Sequence, residues 1–377
     1  MLLNDTQVAI RDAVRDFAQQ EIRPRAQAFE AAGGYPPDLF KQLAGLGLFG
    51  MTAPQAYGGA EADTVSYALA LIEIAAADGA LSTILSIQNS LIVGAILKSG
   101  SVGQKERFLP ALIAGEAIGA FALTETDAGS DASVIRTRAT RTDAGYVIDG
   151  SKQFISSGKI GRLAIVFAVT DPSAGKRGIS AFLVPTDRQG YSVDKVEHKL
   201  GQFASDTCAL RFDNLFVEDE LRLGEEGQGY RIALSNLEAG RIGIAAQSVG
   251  MAQAALAIAI AYAKERRSFG KAIMDHQAVG FRLADAAAKL EAARHLVLHA
   301  ASMKDDGRPC LTEASMAKLV ASETAEAVCS AAIQTLGGYG YLEEFGLAKI
   351  YRDVRVCQIY EGTSDIQRLV IARALAA

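Results

Sequence analysis

The chain has 377 residues, half of them hydrophobic, and 38 Lys and Arg against 43 Asp and Glu give it a formal net charge of −5. That length exceeds one ordinary hydrophobic core and predicts two or three packed units, while the acidic balance argues against a nucleic-acid partner. Cys208, Cys310, Cys329 and Cys357 form no close pair, which excludes a zinc knuckle or redox dithiol, and no uninterrupted apolar run reaches the roughly 18–20 residues of a span, so no membrane insertion is expected.

Helices are expected through about residue 118. Thr6 to Ala28 alternates apolar and charged groups at helical spacing until Gly33-Gly34-Tyr35-Pro36-Pro37 breaks the pattern. Phe40 to Leu48 reads as a short helix, and Ala60 to Ile74 and Ile84 to Lys98 as longer ones rich in Ala and Leu. Strand-like pieces follow at Ala120–Thr124, Gly145–Ile148, Leu163–Val169, Ile179–Val184 and Cys208–Phe212, divided by turns such as Asp143-Ala144-Gly145. Short strands separated by turns predict an antiparallel barrel or sandwich, not a βαβ sheet. From about Gly224 long helices return. Ile242, Ala245, Val249, Ala252, Leu256, Ile260 and Ala263 recur in steps of three or four, a stripe that needs other helices against it. His276 to Met303 and Leu311 to Leu336 continue the pattern. His295 and His299 share a helical face but lack a third ligand, so no metal site is expected. The fold class is therefore α+β, with helices over 1–118, a β unit over 119–222 and a helical bundle over 223–377.

The tail Ile359-Tyr360-Glu361-Gly362-Thr363-Ser364-Asp365-Ile366-Gln367-Arg368 sets one carboxylate between an aromatic ring and a glycine. Buried there, Glu361 would lose solvation in its charged form, and its pKa would rise above the roughly 4.3 of a free Glu. Such a group is a usable base near neutral pH. Gly362-Thr363-Ser364-Asp365 also reads as a capping run, so the motif alone leaves open a solvated Glu at a helix start.

This tail, the run Gln334-Thr335-Leu336-Gly337-Gly338-Tyr339-Gly340-Tyr341 with Glu344, Lys349 and Asp353 beyond it, and the block Phe121 to Asp131 together resemble the signatures of the acyl-CoA dehydrogenase family. The likeness runs from about Asp5 to Ala372, and Gly240 to Ala245 is most similar to short-chain and short-branched members. The resemblance implies a helical domain, a middle β domain and a C-terminal four-helix bundle, with FAD as cofactor. It implies that Glu361 removes the α-proton of a short or short-branched acyl-CoA while the β-hydrogen leaves as hydride to the flavin, giving the trans-2-enoyl product. Electrons would then pass to electron-transfer flavoprotein.

No Gly-x-Gly-x-x-Gly follows a strand, so a dinucleotide fold is not the route to the cofactor. By resemblance, Thr124 contacts the flavin ring, accompanied by Phe121, Leu123, Gly129 and Ser130. Phe154-Ile155-Ser156 matches a Trp-Ile-Thr segment of the family near the reactive nitrogen; Phe keeps the apolar wall and Ser keeps a hydroxyl. Val134 stands where the family has a small residue. Arg266, Ser268 and Phe269 match the pyrophosphate segment, and His276, Gln277, Gln334, Leu336, Gly337, Gly338, Thr363 and Asp365 match further cofactor contacts. Some of these come from a neighbouring subunit in the family, so a homotetramer, a dimer of dimers, is expected. Ser130, Ser205, Glu238, Arg241, Tyr360 and Gly362 are the expected substrate contacts. A family subset carries its base at the position of Gly240, which closes that option here. The alternatives are an acyl-CoA oxidase of the same fold and a non-catalytic DNA-associated relative; nitroalkane oxidases would need Asp at 361. The start of the chain shows no signal or transit pattern, and a bacterial cytoplasmic location is expected, or the mitochondrial matrix for a mature organellar protein.

Overall fold

The structure, a computed structural model, describes residues 2–376. Its first helix, α1 (Asp5–Phe17), opens on a capping box: Asn4 Oδ1 accepts from the Gln7 amide at 2.8 Å while Gln7 Oε1 accepts from the Asn4 amide at 3.1 Å. The helix expected to run to Ala28 is broken by a π-helical turn at Ala18–Ile22 and a tight turn at Arg23–Arg25, where Pro24 has no N–H to give. Then come α2 (Ala26–Ala32), α3 (Pro37–Gly45), α4 (Thr64–Ala77) and α5 (Gly79–Ser86). A second π-helical turn, Ile87–Val93, joins α5 to α6 (Gly94–Ser99), and α7 (Val102–Ile113) ends the helical segment.

The middle segment holds β1 (Gly119–Ala122), β2 (Arg138–Thr142), β3 (Gly145–Ser156), β4 (Leu163–Val169), β5 (Ile179–Pro185), β6 (Tyr191–Val196), β7 (Thr207–Glu218) and β8 (Arg222–Leu223). They form one sheet in the order β6-β7-β3-β2-β4-β5-β8, with β1 also on β4. Its pairings are antiparallel except for β1 with β4 and one residue pair of β2 with β4, which run parallel. Beyond it lie α8 (Gly229–Glu265), the small hairpin β9 (Arg267–Ser268) and β10 (Lys271–Ala272), α9 (Gln277–Asp305), α10 (Leu311–Leu336), α11 (Leu347–Val354) and α12 (Ser364–Leu375). Helix α10 packs against α8, α9 and α12, and α4 crosses to lie on α8 and α9.

Three sequence segments therefore share two cores. One runs from Val14 through α4 and α5 into α8, α9 and α10; the other fills the sheet and the helices laid on it. No apolar run is uninterrupted over a span, but two helical stretches, Gly79–Ser99 and Gly229–Glu265, are apolar enough on average and long enough to cross a bilayer. Their most apolar windows are 89% and 72% buried against protein, so these faces build the cores.

Where the three segments meet sits a buried ion cluster. Asp78 caps α5 by accepting from the Ala80 and Leu81 amides and also accepts from the Tyr35 hydroxyl at 3.0 Å. Lys349 Nζ of α11 lies 3.6 Å from Asp78 and 2.6 Å from Asp353, and Asp353 accepts from the backbone N–H of Gln202 in the middle segment. Removing one partner of such a buried set strands the others and costs about 3–5 kcal/mol. Lys349→Met is therefore expected to lose about that much stability in urea unfolding. Lys41→Met, which breaks a pair with Asp38 that is exposed on both sides, should lose clearly less, and equal losses would contradict this reading of the cluster.

Candidate active site

Between α11 and α12 the chain reverses sharply, and Glu361 and Gly362 both take left-handed backbone, with φ of 52° and 90°. Glycine adopts this freely, but a non-glycine residue there costs roughly 1–3 kcal/mol and persists only where its surroundings enforce it. Gln367 Nε2 donates to the carbonyls of Gly362 and Glu361 at 2.8 and 3.3 Å, and Lys318 Nζ of α10 donates to the Gly362 carbonyl at 2.7 Å. Thr363 caps α12 by accepting from the Ile366 amide at 3.3 Å. The capping run of the tail is thus formed, with Thr363 as the cap, but the Glu361 carboxylate two residues before that cap is shielded and not the solvated group a helix start alone would allow.

Glu361 as a residue keeps some exposure, but both carboxylate oxygens are shielded and neither has a hydrogen-bond partner among the described residues. Burial pushes its pKa up to about 7, against the pull of the positive charges of Lys318 and Arg241. Across from it on α8, Gly240 leaves the room the carboxylate fills: a Cβ at 240 would overlap Glu361 Oε2.

The carboxylate faces a cleft of about 220 Å3. Of the expected residues, Phe121, Leu123, Thr124, Gly129, Ser130, Phe154, Ile155 and Ser156 line its sheet side, and Arg241, Tyr360, Glu361 and Gly362 line its helical side. Ile87 and Leu91 also line it, and sequence reasoning missed them. The π-helical turn carries both; a hydrophobic pattern alone reads them as ordinary helix core.

A fully buried lysine braces the sheet side. Lys152 Nζ donates to the Leu123 carbonyl at 3.0 Å and pairs with Glu125 at 2.8 Å, while Glu125 also accepts from the Thr137 hydroxyl and the Arg136 amide. Burial draws the Lys152 pKa down to about 8. Next to this brace the Thr124 and Ser156 hydroxyls have no partner among the described residues. Phe154 is held at φ 60° with 65% of its surface exposed. A strained backbone presenting an uncovered aromatic ring beside two free hydroxyls fits a flat, hydrogen-bonding ring system such as a flavin.

Arg266, Gln334, Leu336, Gly337 and Gly338 line a second, open cleft of about 500 Å3, with the Arg266 guanidinium 5.9 Å from the centre of the Tyr339 ring. Ser268 hydrogen-bonds His276 Nε2 at 3.1 Å, Phe269 is 97% exposed with its ring edge-on to His276, and Gln277 begins α9 beside them. The two clefts share no lining residue. Ser268, Phe269, His276 and Gln277 line neither cleft, and four further expected contacts also reach neither. Ser205 is buried, with its carbonyl taken by Lys199; Glu238 accepts from Cys310 Sγ at 3.2 Å; Thr363 is spent on the helix cap; Asp365 is exposed beside Arg368. Arg241 lines the cleft and donates to Ser315 at 3.1 Å. Tyr360 does more than form a wall: its hydroxyl donates to Gln247 at 2.8 Å and meets Thr83, which donates to Gln202 Oε1 at 2.8 Å, the residue bound to Asp353.

Family models for the N-terminal, middle and C-terminal domains of acyl-CoA dehydrogenases match residues 4–116, 120–215 and 227–376. An acyl-CoA dehydrogenase of Bacillus subtilis is 46% identical, over 100% of this chain and 99% of its own. A subunit of the caffeyl-CoA reductase–Etf complex of Acetobacterium woodii is 43% identical, covering 100% and 99%. The solved structure of butyryl-CoA dehydrogenase from Megasphaera elsdenii superposes with a TM-score of 0.97 at 41% identity, over the whole of both chains.

A shielded carboxyl of this kind is directly measurable. The infrared carboxyl band that Glu361→Gln abolishes is expected to titrate with a midpoint near pH 7, and a midpoint at the ordinary glutamate value would contradict the dry setting.

Proposed function

This chain belongs to the acyl-CoA dehydrogenase family and is an FAD-dependent oxidoreductase acting on an acyl-CoA; we propose that it desaturates a short or short-branched acyl-CoA to the trans-2-enoyl-CoA, with Glu361 as the α-proton base. The observation that carries this reading is the Glu361 carboxylate, shielded, free of hydrogen bonds among the described residues and poised near neutrality on the wall of a cleft. FAD, when bound, supplies the acceptor for the β-hydride.

An α-proton beside a thioester is weakly acidic, so its removal needs donors aimed at the carbonyl oxygen where negative charge builds. The Glu361 N–H has no acceptor among the described residues, and the turn held by Lys318 and Gln367 fixes where it points. Leu91, Ile87, Leu237 and Ile244 give the cleft apolar walls that exclude water from the carboxylate and seat a small acyl group. The kinship with a butyryl-CoA dehydrogenase favours the short chain. Arg266, Gln334, Gly337 and Gly338 would hold the cofactor's diphosphate by paired charge-assisted bonds and close backbone approach. They line a cleft separate from the base, which favours an assembly in which a second copy completes each cofactor site, within a homotetramer. The Etf-linked relative favours electron-transfer flavoprotein as electron acceptor.

Anaerobic titration of the holoenzyme with a panel of acyl-CoAs, followed by flavin bleaching, tests the substrate class. Bleaching is expected to be fastest with butyryl-sized chains, and a preference for long chains would overturn that part. Glu361→Gln should keep FAD bound while reduction slows by about 10²–10⁴-fold; near-normal bleaching refutes the base. Only the carboxylate form accepts a proton, so the wild-type rate should climb as pH rises through about 7. Gly240→Ala should keep the helix intact, since alanine suits a helix interior, yet displace the carboxylate and slow reduction without releasing FAD. Turnover with oxygen as sole acceptor would point to the oxidase instead.

A further inference from the structure

We infer that Lys318 is a positioning residue for the base: its ammonium, bound to the Gly362 carbonyl, holds the Glu361–Gly362 turn in place and supplies the positive charge against which the Glu361 carboxylate ionises. The inference rests on the reading of Glu361 as the base.

Lys318 is out of place by every local criterion. It lies in the middle of α10, on a face otherwise built from Ala314, Ser315, Ala317, Ala321 and Ser322, and its side chain is wholly buried. A buried ammonium is costly unless something compensates it. Yet Lys318 forms no ion pair among the described residues. Its one hydrogen bond, at 2.7 Å, goes to the neutral carbonyl of Gly362. One residue away stands Glu361, a buried carboxylate that likewise has no direct partner among the described residues. The two charges compensate each other through a strip of backbone rather than by contact.

That separation has a chemical consequence. Direct pairing would stabilise the carboxylate strongly and pull its proton affinity far below neutrality, making it a poor base. With no cation near, burial would leave it protonated at neutral pH. A cation held at one remove sets it between these limits.

The other groups facing the carboxylate are Arg241 from α8 and the Tyr67 hydroxyl from α4, while the neutral Gln367 amide of α12 donates to the backbone carbonyl of the same residue. Around Lys318 stand Cys357 and, further off, Arg241 and Glu323. Burial brings the Lys318 pKa down to about 8, so it still carries its charge at the pH where Glu361 titrates. Gln367 serves as an internal control, because it grips the same Gly362 carbonyl at 2.8 Å without a charge.

Four holoenzyme variants separate grip from charge. Lys318→Gln keeps a donor and loses the charge, Lys318→Met loses both, Lys318→Arg keeps the charge, and Gln367→Leu loses only the neutral donor. Each is assayed for FAD content, for the acid limb of kcat/KM against pH and for the infrared midpoint of the Glu361 carboxyl. In Lys318→Gln both midpoints are expected to rise by about one pH unit, with a high-pH plateau near the wild-type value. Lys318→Met should show the same rise and a lower plateau. Gln367→Leu should lower the plateau with both midpoints in place, and Lys318→Arg should hold the wild-type midpoints. Unmoved midpoints in a Lys318→Gln protein that retains FAD would overturn the inference. So would a rise in Lys318→Arg equal to that in Lys318→Met, and this second comparison decides the matter if Lys318→Gln does not fold. If the infrared midpoint rises while the rate limb stays put, Lys318 sets the ionisation of Glu361 and the assignment of Glu361 as base fails.

Discussion

A carboxyl group kept out of water with nothing to hydrogen-bond is the constraint on which the rest of this molecule turns. Unpaired and dry, such a group protonates rather than carry its charge. Paired with a cation in contact, it would stay ionised and lose its appetite for protons. Glu361 avoids both outcomes because its two cations, Lys318 and Arg241, are committed elsewhere: one to the Gly362 carbonyl, the other to Ser315. Their charge reaches the carboxylate, but their hydrogen bonds do not.

Holding that balance requires walls that do not shift, and these walls come from different cores. The sheet side, with Thr124 and Ser156, belongs to the core around β4 and β5, whereas Glu361 and Arg241 sit on the helical core. A small relative movement would change both the enclosure of the carboxylate and its distance from the opposite wall, and such misplacements are costly to catalysis. The polar chain from Tyr360 through Gln247, Thr83 and Gln202 to Asp353 spans this gap, because Gln202 belongs to the middle segment and Asp353 to α11. The ion cluster of Asp78, Lys349 and Asp353 is thus more than an interdomain fastening. It anchors the residue next to Glu361, the proposed base.

The sequence made some of this legible and hid the rest for identifiable reasons. Strands β4 and β5 are buried on both faces and read as continuous apolar runs, so their expected limits nearly match the observed ones. Strands β2 and β6 are largely exposed and carry Arg138, Arg141, Asp194 and Lys195, so nothing marks them as strands before their partners are known. Glu361 stood out because an aromatic ring and a glycine flank it. Lys152 and Lys318 did not, and Lys349 did so only as a position of a family signature, since a lysine reads as solvated until the elements around it are assembled. The π-helical turn over Ile87–Val93 has no periodic signature either, and it hides the two cleft residues it carries. Hydrophobic patterning thus reported what is buried by many neighbours, and missed the charges buried by few.

Gly240 shows how tightly the constraint is drawn. Its missing side chain is no idle gap, because the Glu361 carboxylate fills that space. A second carboxylate placed there would collide with the first, and if it fitted, like charges in a dry slot would drive one of the pair to stay protonated. The site therefore admits one acid, and a residue without a side chain on α8 is the condition for its being Glu361. The same helix turns Gly243 toward Ser86 and Tyr67, where an added Cβ would crowd both hydroxyls. Close approach of α8 to α4 and room for the Glu361 carboxylate are thus two results of one choice, small residues one turn apart on the helix that both cores share.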